Sequence, residues 1–302
     1  MPIKPWQADL LLLLVAAVWG TTFVIVKSAL DQVPPFTFLA LRFTLAAMAL
    51  FLLFPRHIRG SGRQALAPGL LIGLFLFSAY AFQTFGLLYT GAAKAGFITG
   101  LLVVIVPVAQ AVLWRQLPRP AVTAGVILAA VGLLLVTGPF ETDGLVWLGD
   151  LLILLCAFAF AGHILSVAVH SRRAGAAALA VWQISFVAGA SWTAALIFEQ
   201  PFRVLALPAA GLGELAAALG VTGIIATAGA YLVQSSVQRY TSATHTALIF
   251  TTEPVFAYLF AWWWAGEVLS AMALAGSMMI LAGMILAEVR RQQHHQLMPD
   301  AG

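Results

Sequence analysis

Residues 80–92 read YAFQTFGLLYTGA, and residues 231–243 read YLVQSSVQRYTSA. The two stretches share Tyr and Gln at their first and fourth positions, and both end in Tyr-Thr, a small residue and Ala, at a constant offset of 151 residues. Asp9 and Asp150, each followed by five apolar residues, match at an offset of 141, and an insertion of ten residues reconciles the two offsets. Apolar sequences also match by chance, but paired polar residues at one offset favour two related halves.

The composition indicates that lipid is the main solvent of this chain. Of its 302 residues 62% are hydrophobic and only 9% are charged, and the mean hydropathy is +0.99. A soluble domain carries roughly a quarter charged residues. The single cysteine, Cys156, excludes a disulfide within the monomer. The net charge of +4 is spread over short loops rather than one face, so we expect no nucleic-acid partner.

Apolar stretches of membrane-spanning length recur ten times along the chain. About 20 apolar residues are needed for a helix to cross the hydrocarbon core. The predicted spans are Ala8–Lys27, Phe36–Phe54, Ala67–Leu88, Ala92–Trp114, Ala121–Thr137, Leu145–Val167, Ala178–Phe198, Leu212–Gln234, Ser242–Trp264 and Ala271–Glu288. The connecting loops are short, which leaves no room for a domain outside the membrane.

The distribution of basic residues predicts the orientation. With the N-terminus in the cytoplasm, eleven of the fifteen Lys and Arg residues fall on the inner side. Positive loops stay inside, so both termini are predicted to be cytoplasmic, in a bacterial inner membrane. The inner residues are Lys4, Arg56, Arg59, Arg63, Arg115, Arg119, Arg172, Arg173, Arg239, Arg290 and Arg291.

The repeat and the span count together predict an inverted architecture. Five helices per half is an odd number, so the second half enters the membrane from the opposite side. Inverted repeats of this kind are typical of secondary transporters, whose substrate site lies between the halves. We therefore expect an all-α integral membrane protein with ten transmembrane helices in two inverted five-helix repeats. The predicted division is residues 1–140, residues 141–290 and a cytoplasmic tail at 291–302.

Short motifs in both halves resemble the EamA family of the drug/metabolite transporter superfamily, over essentially the whole chain. They are Trp19-Gly20, Pro34-Pro35, Arg42-Phe43, Tyr89-Thr90-Gly91-Ala92, Tyr240-Thr241-Ser242-Ala243, Glu253-Pro254 and Gly266-Glu267. The resemblance implies a ten-helix basket around a central cavity that opens alternately to either side, and export of amino acids, related metabolites or toxic compounds. The first half departs from the pattern, because Leu102 stands at the position equivalent to Glu253.

Two charged residues are predicted to lie near the middle of the bilayer, where each charge costs at least about 2.5 kcal/mol. Arg42 and Glu253 lie at similar depths, so they form either a structural ion pair or a functional site in which Glu253 binds a proton or a substrate amine. Pro254 and Pro107 are predicted to break their helices. Pro254 is also compatible with a simple packing kink.

A polar and aromatic set is predicted to line the substrate cavity. Tyr and Gln three residues apart share one helix face, and this spacing recurs in both halves. Hydrogen bonding between helices is the competing explanation, and for His163 the alternatives are a buried neutral ring and a proton relay. The predicted cavity residues are Trp19, Thr22, Tyr80, Gln83, His163, Tyr231 and Gln234.

Several classes of protein are disfavoured. The sequence has no phosphate-binding loop and no metal-ligand spacing, so neither cofactor nor metal is expected. An intramembrane enzyme would need Glu253, His163 and Arg42 to converge, and a scaffold would normally add a soluble domain. We therefore expect a transporter, not an enzyme. Its partners would be a small molecule, the bilayer and, through Glu253, a proton. Nucleosides, sugars or organic cations are the alternatives to amino acids, and the assembly is a monomer or a homodimer.

Overall fold

In a computed structural model the protein is a bundle of helices joined by short turns, and every regular element in its described part is helical. The structure describes residues 4–55, 62–115, 118–137, 146–171, 173–265 and 270–297. The expected repeat boundary at residues 140 and 141 lies outside these ranges. So do Arg56, Arg59, Arg172 and the motif Gly266-Glu267.

The helices follow one another with few residues between them. The first six are α1 (Pro5–Leu30), α2 (Pro35–Leu53), α3 (Gly62–Tyr89), α4 (Ala92–Gly100), α5 (Leu102–Trp114) and α6 (Pro120–Thr137). The others are α7 (Val146–His170), α8 (Ala176–Phe198), α9 (Ala209–Leu219), α10 (Ala230–Val237), α11 (Ala243–Phe250), α12 (Glu253–Ala265) and α13 (Ala271–Leu297). A π-helical segment, Gly220–Gly229, joins α9 to α10, and short 3-10 turns cover Pro201–Ala206 and Gln238–Tyr240.

The helices make this a multi-pass membrane protein. Within the described residues, six are long and apolar enough to cross a bilayer. These are Trp6–Leu30, Pro35–Leu53, Gln64–Tyr89, Trp147–His170, Ala176–Phe198 and the continuous stretch Ala209–Tyr240. Three further apolar helices are shorter: Ile98–Trp114, Pro120–Leu135 and Ala271–Leu286. The count of ten spans remains a prediction, because the expected fourth and ninth spans are each divided into two shorter helices.

These divisions fall at equivalent positions of the two halves. Between α4 and α5 the N–H of Leu101 bonds to the carbonyl of Ile98 (3.2 Å). Between α11 and α12 the N–H of Thr252 bonds to the carbonyl of Ile249 (3.0 Å). Both bonds span three residues instead of four, which tightens the helix locally. The two sites are related by the same offset of 151 residues that relates Tyr80 to Tyr231.

The two prolines expected to break helices are placed differently. Pro254 is the second residue of α12, directly after the division at Thr251 and Thr252. A proline is well tolerated there, because the first turn of a helix has no N–H bond to lose. Pro107 instead lies inside α5, beyond the division at Leu101. An internal proline removes one backbone bond, and here the helix continues through it to Trp114.

Helices α6 and α13 pack through glycines in a reciprocal way. A methyl group on Gly132 would lie 2.5 Å from the carbonyl oxygen of Gly276, and one on Gly283 would lie 2.5 Å from that of Gly125. The absence of side chains therefore lets the two backbones touch. Gly125 and Gly132 are the equivalents of Gly276 and Gly283, so the contact is the same when the halves are exchanged.

Candidate functional site

A narrow internal cavity lies between the helices of the two halves. The volume open to water-sized molecules is about 40 Å³, enough for roughly three waters at ~10–15 Å³ each. All seven predicted cavity residues face it, together with Arg42 and Glu253. The lining residues are Trp19, Thr22, Phe23, Val26, Arg42, Tyr80, Gln83, Leu87, Thr99, Leu102, Phe160, His163, Ile164, Tyr231, Gln234, Phe250 and Glu253.

Most of this lining consists of equivalent residues from the two halves. Each pair is related by one of the two offsets found in the sequence. The pairs are Trp19 with Phe160, Thr22 with His163, Phe23 with Ile164, Tyr80 with Tyr231, Gln83 with Gln234, Thr99 with Phe250, and Leu102 with Glu253. The lining residues that sequence reasoning missed, such as Phe250 and Ile164, are counterparts that the offsets could have identified.

Arg42 is held inside the protein by polar and aromatic groups. Its side chain is only 2% exposed. Its Nε donates to the hydroxyl of Thr227 (2.8 Å), and its Nη2 donates to the hydroxyl of Tyr80 (3.2 Å). The guanidinium also lies 4.7 Å from the centre of the Tyr80 ring, a favourable cation–π distance. Thr227 itself donates to the carbonyl of Thr222 (2.7 Å), so its oxygen is fixed as the acceptor for Arg42.

Thr227 belongs to the π-helical segment Gly220–Gly229, which contributes backbone as well as side chains to the site. The indole N–H of Trp19 donates to the carbonyl of Ala226 (2.8 Å). In a regular α-helix that carbonyl would bond to an N–H of the next turn. π-helical turns often mark functional sites, and this one offers a backbone acceptor to α1 and a side-chain acceptor to α2.

Aromatic rings form the walls around the centre of the cavity. The hydroxyl of Tyr231 donates to that of Tyr80 (2.9 Å). The Trp19 ring centre lies 5.3 Å from that of Tyr231 and 4.9 Å from that of Phe250. Phe160 meets Tyr80 edge to face at 5.5 Å. The cavity is therefore apolar in its walls and polar at a few defined points, as ligand sites usually are.

Glu253 is the first residue of α12, and its side chain is partly exposed to the cavity. Among the described residues, no side chain or backbone group forms a hydrogen bond or ion pair with its carboxylate. Arg42 in particular is not within ion-pair distance, since its donors are directed to Thr227 and Tyr80. The two charges thus line one cavity without contacting each other.

A hydrogen-bond network closes one side of the cavity, and we call it the glutamine seal. Gln234 donates to the amide oxygen of Gln238 (2.9 Å), which in turn donates to the carbonyl of Ile164 (2.7 Å). His163 Nε2 lies 2.8 Å from Oε1 of Gln183, whose amide nitrogen donates to Ser235 (3.1 Å). Because that nitrogen donates, the amide oxygen accepts from His163. The network joins α7, α8 and α10.

The opposite side of the cavity carries a different polar network: Nζ of Lys27 donates to the carbonyl of Thr90 (3.2 Å), and the Thr90 hydroxyl donates to Asp150 (3.0 Å). Val26 and Leu87 extend the lining in that direction. Their equivalents in the other half are Val167 and Gln238, neither of which lines the cavity. Gln238 is fully buried in the glutamine seal instead. The cavity therefore has a symmetric centre and an extension towards one end of the bundle only.

Comparisons with known proteins agree with this architecture. A model of the EamA-like transporter family matches residues 6–138 and 147–288. An "uncharacterized transporter" of Archaeoglobus fulgidus is 35% identical over 289 residues, which cover 95% of this chain and 88% of that protein. A "probable amino-acid metabolite efflux pump" of Salmonella typhimurium is 29% identical over 301 residues, covering 91% and 93%.

A solved crystal structure shares the fold, with a TM-score of 0.76 at 19% identity over 94% of this chain and 98% of that one. Because the family model matches nearly the whole sequence, the similarity extends over both halves and is not limited to one motif. The chain belongs to the EamA-like transporter family.

Proposed function

We propose that the protein is a secondary transporter of the bacterial inner membrane that exports amino acids or related small metabolites by alternating access. The observation that carries the proposal is the cavity. It is built from equivalent residues of both halves, yet it extends towards one end only. A binding site at the interface of two related halves, reached from one side at a time, is what alternating access requires.

Two inverted repeats of five helices each account for this arrangement. The family model matches the chain twice, over residues 6–138 and 147–288. The reciprocal glycine contacts of α6 and α13, the Tyr80–Tyr231 hydrogen bond and the paired helix divisions are all consistent with a pseudo-two-fold axis through the cavity. In this arrangement both termini lie in the cytoplasm, and the basic loops face the same side.

The asymmetry of the cavity gives the proposed transport cycle its two states. In the structure Val26 and Leu87 line the cavity on one side, while Gln238 fills the place equivalent to Leu87 on the other side. The opposite state would open the glutamine seal and close around Val26 and Leu87. The present cavity of about 40 Å³ is smaller than an amino acid needs, so we assign it to a contracted state that widens on binding.

The chemistry of the cavity and the name of one relative support the substrate class. The Salmonella protein is named for amino-acid metabolites, and the cavity of this chain presents one positive and one negative side chain. Nucleosides and sugars carry no such charges, and organic cations would meet Arg42. Glu253 is also the proposed proton carrier, because its carboxylate has no partner among the described residues.

Counterflow in liposomes tests this function. Purified protein is reconstituted with an unlabelled panel of amino acids, nucleosides, sugars and organic cations inside, and uptake of each labelled compound is compared with that of empty liposomes. Amino-acid exchange supports the proposal, whereas exchange of another class alone reassigns the substrate. Glu253→Gln should abolish stimulation by an imposed pH gradient. Unchanged stimulation in this variant would exclude Glu253 as the proton carrier.

A further inference from the structure

We infer that the cavity recognises the charged head of an α-amino acid at two separate points, with Arg42 binding the carboxylate and Glu253 binding the ammonium group. The aromatic walls then take an apolar or aromatic side chain. This inference rests on the proposed transport function and narrows its substrate class to zwitterions. It follows from the hydrogen bonds that Arg42 and Glu253 form within the described part of the protein and from the donors and acceptors that these bonds leave unused.

Arg42 has donors left over for a ligand. A guanidinium carries five N–H groups, and the structure directs one from Nε to Thr227 and one from Nη2 to Tyr80. The remaining donors have no acceptor among the described residues, although the side chain is nearly buried and lines the cavity. A planar carboxylate fits the fork of a guanidinium and also neutralises its charge.

The carboxylate of Glu253 requires hydrogen-bond donors. An ionised carboxylate only accepts hydrogen bonds, and an ammonium group supplies three donors. Gln234 adds a second acceptor on the same cavity, since its Oε1 is buried and has no hydrogen-bond partner within the described residues. Trp19 and Tyr231 line the same space, and aromatic rings of this kind attract cations to their faces.

The two opposite charges of the cavity disfavour a ligand that carries only a positive or only a negative charge. A simple amine would satisfy Glu253 but leave Arg42 uncompensated, and a simple carboxylic acid would do the reverse. Buried charges are costly without a partner, so each of these ligands loses one of the two contacts. A zwitterionic α-amino acid makes both contacts, because one α-carbon carries the two charged groups as well as the side chain, which is free to meet the aromatic walls.

Competition in liposomes tests the inference with defined probes. Counterflow of labelled phenylalanine is measured in the presence of unlabelled phenylalanine, 2-phenylethylamine or 3-phenylpropionate. The two analogues keep the ring and lack the carboxylate or the amino group, respectively. Loss of a charge-assisted hydrogen bond corresponds to about tenfold or more in affinity. We expect each analogue to compete at least about tenfold more weakly than phenylalanine.

Two variants assign the contacts to residues. Arg42→Gln should weaken competition by phenylalanine and by 3-phenylpropionate but leave that by 2-phenylethylamine unchanged. Glu253→Gln should weaken competition by phenylalanine and by 2-phenylethylamine but leave competition by 3-phenylpropionate unchanged. Arg239→Gln and Glu214→Gln are matched controls, because both side chains are exposed and lie away from the cavity. If a variant fails to fold, the competition series with the native chain still decides the inference.

The outcomes separate this inference from the transport function on which it rests. If the native chain exchanges nucleosides, sugars or cations but not amino acids, transport stands and zwitterion recognition is overturned. If phenylalanine is exchanged but either analogue competes equally well, two-point recognition is overturned as well. If no compound of the panel is exchanged above empty liposomes, the transport function itself fails.

Discussion

The hydroxyl of Tyr231 donates a hydrogen bond to the hydroxyl oxygen of Tyr80, 2.9 Å away, although the residues are 151 positions apart. The oxygen of Tyr80 also accepts from Nη2 of Arg42. Equivalent residues of the two halves therefore meet at the centre of the cavity, but they do not play equivalent parts. Tyr80 supplies an acceptor to two partners, whereas Tyr231 contributes one donor.

This difference predicts unequal effects of removing the two hydroxyls. Tyr80→Phe leaves a donor of Arg42 and the hydroxyl of Tyr231 without their acceptor, and buried unsatisfied groups cost about 1–3 kcal/mol each. Tyr231→Phe removes a donor and leaves the Arg42 contact intact, which costs about 0.5–1.5 kcal/mol. Thermal unfolding in detergent should show a larger loss for Tyr80→Phe. Equal losses would mean that the bond to Arg42 does not contribute.

Thr227 is predicted to position Arg42 for its ligand. Thr227→Val keeps the shape of the side chain and removes the acceptor of the Nε donor, so the guanidinium loses its orientation within the cavity. We expect about a tenfold weaker affinity for 3-phenylpropionate, which carries the carboxylate, with little change for 2-phenylethylamine. Thr193→Val is the matched control, because within the described ranges its exposed hydroxyl bonds only to the carbonyl of Gly189 on the same helix. An equal loss for both probes would indicate a general structural defect instead.

The glycine contact between α6 and α13 predicts a strong steric effect. Gly132→Ala would place a methyl group 2.5 Å from the carbonyl oxygen of Gly276, so the two backbones must separate. Overpacking of this kind costs about 1–3 kcal/mol. Gly189→Ala is the control, since nothing lies within 4 Å of the added atom, and alanine favours a helix by about 0.5–1 kcal/mol. The melting temperature should therefore fall for Gly132→Ala and rise for Gly189→Ala.

Much of the site could be predicted from the sequence because polar residues are rare within its apolar segments. Tyr80, Gln83, Tyr231 and Gln234 stand out at a constant offset, and all four line the cavity. The division of the fourth predicted span could not be placed in this way. The sequence predicts a break at Pro107, but α4 ends at Gly100 and the division lies at Leu101.

The hydrogen-bond partners of Arg42 could not be predicted from the sequence either. The π-helical segment Gly220–Gly229 contains three glycines and two threonines, but its hydrogen bonds across five residues instead of four are visible only in the structure. Contrast between buried and exposed faces is weak in a membrane protein, since the lipid-facing and interior faces are both apolar. Helix register and side-chain partners therefore depend on packing that periodicity does not reveal.

One-sided access is the last prediction, and the cysteine content of the chain makes it easy to test. The sequence has one cysteine, Cys156, which is buried, so Cys156→Ala gives a background without thiols. Val26 lines the cavity and is 6% exposed, whereas its equivalent Val167 lies outside the lining and is 1% exposed. A cysteine at position 26 should react with a membrane-impermeant maleimide faster than one at position 167.

The glutamine seal is the proposed cause of this difference, and one further substitution tests it. Gln238→Leu gives this position the residue found at its equivalent, Leu87, and removes the bonds to Ile164 and Gln234. The seal should then open more often, so labelling at position 167 should accelerate while labelling at position 26 slows. Labelling in vesicles of both orientations identifies the side from which each cysteine is reached. Equal rates at the two positions in the background chain, or no response to Gln238→Leu, would contradict a seal at this end of the cavity.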